Sequence, residues 1–75
     1  MDFLLVDSQI ALTFSGIALR ANDSDKRRRT AQAARKGYDT IMRLMDVDLS
    51  QGERDKLDAN LQRLKNELQT LGQTF

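Results

Sequence analysis

The chain has no cysteine, no histidine, no proline and no tryptophan. Without cysteine there is no disulfide framework and no thiolate metal site; without histidine the commonest metal ligand and the usual proton shuttle near neutral pH are missing. Acid–base chemistry would have to rest on carboxylates or lysines alone. No glycine-rich phosphate loop, serine nucleophile elbow or EF-hand spacing is present. The sequence therefore reads as a protein that is not an enzyme and uses no metal or other cofactor. Long apolar runs are also missing: all fall far short of the roughly 20 residues that span a bilayer. Residues 3–6 (Phe-Leu-Leu-Val) resemble the start of a signal sequence, but no basic residue precedes them and Asp7, Ser8 and Gln9 interrupt the run. The expectation is a mature, cytoplasmic protein with no membrane partner.

What is there, in a chain of 75 residues, is helical periodicity. Leu57, Leu61, Leu64, Leu68, Leu71 and Phe75 recur at intervals of four and three with polar residues between them, which draws one apolar stripe on a helix. With no proline, breaks are read from Asn22-Asp23-Ser24-Asp25 and Asp46-Val47-Asp48-Leu49-Ser50. Ser50-Gln51-Gly52-Glu53 matches a capping box, so the third helix starts near Gln51; Gly72 is a natural stop, after which Phe75 either continues the last turn or folds back. Asp23 or Ser24 caps the second helix, with Asp23 spaced to meet Arg27 and Asp25 to meet Arg28 and Arg29. The prediction is an all-α, single-domain, three-helix up-down-up bundle with helices at about 2–21, 25–45 and 51–71.

The first of these helices carries two apolar stripes. Phe3, Val6, Ile10, Phe14, Ile17 and Ala21 share one side, and Leu5, Leu12 and Leu19, each seven apart, project from nearly the opposite one. One reading places this helix centrally, covered on both sides by the other two; the other makes the Leu5, Leu12, Leu19 edge a surface for a second copy (a homodimer) or another protein. On the second helix Ala31, Ala34, Tyr38, Ile41, Met42 and Met45 form the face expected inside. Ala33, Ala34 and Gly37 are small enough for a neighbouring helix to approach closely, which explains a glycine that costs about 1 kcal/mol relative to alanine within a helix. Tyr38 reads as a packed aromatic with its hydroxyl at the rim.

The net charge of +1 hides an uneven layout: −3 over residues 1–25, +6 over 26–45 and −2 over 46–75. Lys26-Arg27-Arg28-Arg29 lies at a helix start, where the positive end of the macrodipole disfavours cations by up to about 1 kcal/mol each. Further along, Arg29, Lys36 and Arg43 repeat at seven with Arg28 and Arg35 beside them, giving a basic stripe opposite the Tyr38 face. Such a stripe can track a nucleic-acid backbone, but the near-neutral total and the scarcity of aromatics weigh against it, and a solvated or internally neutralised face is the simpler account. The Asp23/Asp25 and Asp46/Asp48 pairs read as turn and cap chemistry.

The stretch Ala11–Leu44, with A-L-T-F-S-G-I-A, then D-S-D-K-R-R-R, then A-R-K-G-Y-D-T-I-M-R-L, resembles the paired helices of tetratricopeptide-type and microtubule-interacting-and-transport-type modules. The resemblance implies two antiparallel helices locked by small residues and an aromatic, with a groove for a partner peptide. It covers about half of the chain, lacks the Trp, Leu-Gly and Pro positions of a tetratricopeptide repeat, and has no second copy. With the leucine ladder and the L-S-x-x-E cap included, the chain is similar to small bacterial helical proteins; no binding residue carries over from them. The functional expectation is a protein-interaction or assembly module acting through apolar helix faces, its basic flanks steering an acidic partner. The alternative is a nucleic-acid-binding accessory using Arg28, Arg29, Arg35, Lys36 and Arg43.

Overall fold

The end of α1, the start of α2 and both ends of α3 rest on identifiable local devices. The computed structural model describes residues 3–44 and 49–75 and forms α1 (Phe3–Arg20), α2 (Ser24–Leu44) and α3 (Gln51–Thr70), with no strand among the described residues. Asp23 caps α2: its carboxylate accepts the Asp25 amide at 2.9 Å and its carbonyl accepts the Arg27 amide at 2.9 Å. The expected Asp25–Arg28 pair is present at 3.5 Å between two exposed side chains. Arg27 instead turns back to donate to the Ala21 carbonyl at 2.8 Å, a cation placed at the negative end of α1. Ser50 and Glu53 form the reciprocal capping box at the start of α3. At its end, Gly72 takes φ 94°, and the Gln73 and Gly72 amides donate to the Leu68 and Gln69 carbonyls at 2.9 and 3.0 Å, a Schellman stop that an L side chain at position 72 would strain.

The helices run up, down and up, with α1 central: it packs along both neighbours, while α2 and α3 touch each other much less. Four α3 leucines, Leu57, Leu61, Leu64 and Leu68, are buried and supply most of the apolar volume. They complete two clusters, one with Leu4 and Ile41, the other with Ala11 and Ala34, and Tyr38 lies against both. Each fully buried leucine is worth about 1.5 to 3 kcal/mol of transfer free energy, so α3 is the element that closes the core.

The face that α1 turns inward is the one sequence patterning assigned to neither stripe. Leu4, Ser8, Ala11, Ser15 and Ala18 are buried, and from Ser8 onward every one of them is small. The reason is the closeness of α2. A Cβ built on Gly37 would lie 3.2 Å from the Ala11 Cβ, and Ala31 and Ala34 share the seam. Phenylalanine or isoleucine would hold the two backbones apart, so the Phe3, Val6, Ile10 side of α1, expected inside, is turned outward. Two further expectations are corrected. Met42 is 50% exposed because it lies past the α2 core line of Ala34, Tyr38 and Ile41. Leu5 and Leu12 are half-buried against the clusters because their edge of α1 borders α3. Met45, Asp46 and Asp48 lie outside the described residues.

Two polar contacts fix the register of the parallel α1–α3 pair. Asn60 donates to the Ser8 hydroxyl at 2.9 Å, and that hydroxyl donates to the Leu5 carbonyl at 2.8 Å. Seven residues on, the Ser15 hydroxyl shares its single proton between the Glu67 carboxylate and the Leu12 carbonyl, with Arg63 bonded to the other Glu67 oxygen at 3.1 Å. Both contacts join residues 52 apart in sequence, so sliding one helix along the other would break both inter-helix bonds at once and leave Asn60 and Glu67 without their serines. Ser15→Ala is expected to cost about 1.5 to 3 kcal/mol, the range for a hydrogen bond to a charged group. In a double-mutant cycle with Glu67→Gln by urea denaturation, additive effects would show that the two side chains are not coupled.

Candidate interaction surface

The outward side of α1 is the largest chemical anomaly of the fold. Phe3 is 71% exposed and Ile10 50%, Val6 is exposed between them, and Ile17 continues the line half-buried. Phe3, Ile10 and Ile17 are spaced at seven, so on an α-helix they stand nearly in one row. Helical geometry places Ala33 and Leu44 of α2 beside this row, on the flank of the α1–α2 hairpin away from α3, and both are exposed. Exposed Lys26 and Arg29 lie at one end of the hairpin and Asp7 near the other, while Arg20 turns to the α3 side of α1, beside Gly16, Arg63 and Glu67. By length and composition α1 is apolar enough to cross a membrane, with a mean hydropathy of 1.3.

The residues singled out from the sequence fall into different settings. Of the Leu5, Leu12, Leu19 edge, only Leu19 is open, at 40% exposure, so the edge is not a continuous outer surface. Of the basic stripe, Arg28, Arg29, Lys36 and Arg43 are exposed, and the last three make no hydrogen bond or ion pair with the described residues. Arg35 is engaged. It pairs with Asp39 at 3.1 Å, donates to the Thr74 carbonyl at 2.6 Å, and stacks its guanidinium 4.0 Å from the Phe75 ring centroid.

That Arg35 contact forms a latch. After the Gly72 turn the chain folds back, and Phe75 meets Tyr38 edge-on, with ring centroids 5.1 Å apart. Fold-back, one of two endings compatible with the ladder, is the one observed. Phe75→Ala is expected to cost about 1 kcal/mol, from one aromatic pair and two partly exposed cation–π contacts, with Arg35 at 4.0 Å and Lys65 at 5.5 Å. Tyr38 is the sole tyrosine and there is no tryptophan, so intrinsic fluorescence reads this contact directly; an unchanged Tyr38 spectrum in the variant would contradict the stacking.

Among the described residues no three acidic side chains gather in a way that could hold a metal ion. Asp23 and Asp25 are used in the α2 cap and the Arg28 pair. No family model, curated protein or solved structure matches the chain, so the functional reading rests on these surfaces.

The outer face of α1 was hidden from sequence reasoning by the rule that large apolar residues go inside. One signal marked it: Ser8, Ala11, Ser15 and Ala18 recur at three, four and three, the same spacing as the leucine ladder but in small residues. A small-residue stripe facing Ala31, Ala34 and Gly37 on the next helix predicts close backbones, and so displaces the bulky side outward.

Proposed function

We propose that the protein is a small interaction module that binds a protein partner through the apolar flank of its α1–α2 hairpin, centred on Phe3, Val6, Ile10 and Ile17. The observation that supports this is a row of large apolar side chains left in water by a fold that buries serines on the same helix. Exposed apolar residues scattered singly are ordinary, whereas a contiguous row marks a contact surface. The row matches the spacing at which helices dock on helices, and the cationic end favours partners with acidic flanks. No bond-making chemistry is assigned to the protein.

The test is site-specific photo-crosslinking in cells. A photoreactive amino acid in place of Ile10 should give protein adducts, and the same group at exposed Gln69 on α3 should give none. Absence of any protein adduct from position 10 would defeat this reading.

Exposed Arg29, Lys36 and Arg43, which make no ion pair among the described residues, favour one second reading, contact with a nucleic-acid backbone. Its signature is oligonucleotide binding that weakens steeply with salt; equal indifference at low and high salt discards it.

A further inference from the structure

We infer that the partner of the apolar flank is a second copy of the chain, docked antiparallel about a two-fold axis that passes by Ile10; this rests on the interaction reading above and specifies its occupant. The first support is the pattern itself. Phe3, Ile10 and Ile17 are evenly spaced at seven, so a two-fold through Ile10 places Phe3 of one copy on Ile17 of the other, twice, and Ile10 on itself. A self-complementary row is what an isologous interface requires.

The second support is charge. One end of the flank carries Lys26 and Arg29, and the other carries Asp7 among apolar residues. A parallel pairing would bring the two cations of one copy onto those of the other. The antiparallel one separates the two cationic ends by the length of α1, about 27 Å for its 18 residues, and sets each nearer the partner's Asp7 end. The third support is size. Two helices about 10 Å wide and some 27 Å long present a face of about 540 Å² in projection, below the roughly 800 Å² per partner of a standard interface and in the range of a weaker, concentration-dependent dimer. Exposed Ala33 on the α2 side is small enough to leave room for a facing helix.

A lipid surface is the rival occupant for an apolar row beside cations. Asp7, on the same flank, disfavours an anionic bilayer, whereas in the antiparallel pair it faces toward the partner's cations.

The test uses the full chain. Sedimentation equilibrium over a wide concentration range should give a concentration-dependent mass between monomer and dimer. Ile10→Glu places two like charges against each other at the axis and should weaken association at least about 100-fold, with helicity by circular dichroism unchanged because Ile10 lies outside the core. Since the chain has no cysteine, single cysteines report the orientation. Phe3→Cys mixed with Ile17→Cys should oxidise to the mixed disulfide, and Ile10→Cys should cross-link to itself. A strict monomer at every concentration overturns the second-copy inference, as does a dimer that Ile10→Glu leaves intact or one in which Phe3→Cys cross-links to itself in preference to Ile17→Cys. A monomer that co-sediments with phosphatidylserine vesicles overturns it in favour of lipid. Photo-adducts from position 10 to a different protein, together with a strict monomer, would sink this inference and leave the interaction reading standing.

Discussion

Leu64→Ala is expected to destabilise the fold by about 2 to 5 kcal/mol, toward the upper part of that range. Leu64 is fully buried in the cluster it forms with Ala11, Ala34 and Leu68. Two of its three buried cluster-mates are alanines whose side chains have no rotamers with which to fill a void, so closing the cavity falls to half-buried Leu12, Phe14, Tyr38 and Leu71 at the cluster's edge. A chain of 75 residues typically has about 4 to 11 kcal/mol in total, and losing several of these leaves a protein partly unfolded at physiological temperature. Urea denaturation followed by circular dichroism measures the loss, with half-buried Leu71→Ala as a milder internal reference. If Leu64→Ala moves the midpoint no further than Leu71→Ala, the assignment of Leu64 to the core centre is wrong.

Ala34→Leu is expected to be nearly as damaging for the opposite reason. Ala34 is fully buried on the α2 side of the seam, three residues before Gly37, where an added Cβ would lie 3.2 Å from that of Ala11. Three added heavy atoms have no void to enter, and overpacking costs about 1 to 3 kcal/mol or more when backbones must separate. The same change at exposed Ala33, one position along, should be nearly neutral in the isolated chain. A pair of thermal melts decides it: equal melting temperatures for Ala33→Leu and Ala34→Leu would mean that α1 and α2 are not held at close range.

The elements themselves were legible because each is marked by strong local chemistry. The capping box at Ser50 and Glu53, the stop at Gly72, the turn at Asn22-Asp23 and the leucine ladder each act over a few residues, and all four are realised. The central position of α1 was also readable, from a helix apolar around most of its circumference. Its rotation was not. Hydrophobic patterning ranks side chains by transfer free energy, and on that scale Phe3 and Ile10 outrank Ser8 and Ser15. The outcome is decided by proximity of backbones, together with hydroxyls that satisfy themselves on the carbonyls of Leu5 and Leu12 at 2.8 and 2.9 Å and so cost little to bury. The fate of Arg35 was equally hidden, since its partners Thr74 and Phe75 lie far along the chain and come near only through the fold-back after Gly72.

The division of labour between the two seams has an energetic consequence. The α1–α2 seam is close but thin: alanine, glycine and serine remove little apolar area from water, and a hairpin of residues 3–44 would forfeit every α3 leucine. A fragment ending at Leu44 is accordingly expected to show little helix at 25 °C, and the whole chain to melt in one cooperative step. Linkage then ties the two sides of the molecule together. Any molecule that occupies the Phe3 to Ile17 row draws on free energy supplied by leucines on the far side of the hairpin, so saturating that row raises the melting point, and weakening α3 loosens the grip on the partner to the extent that it lowers the folded fraction.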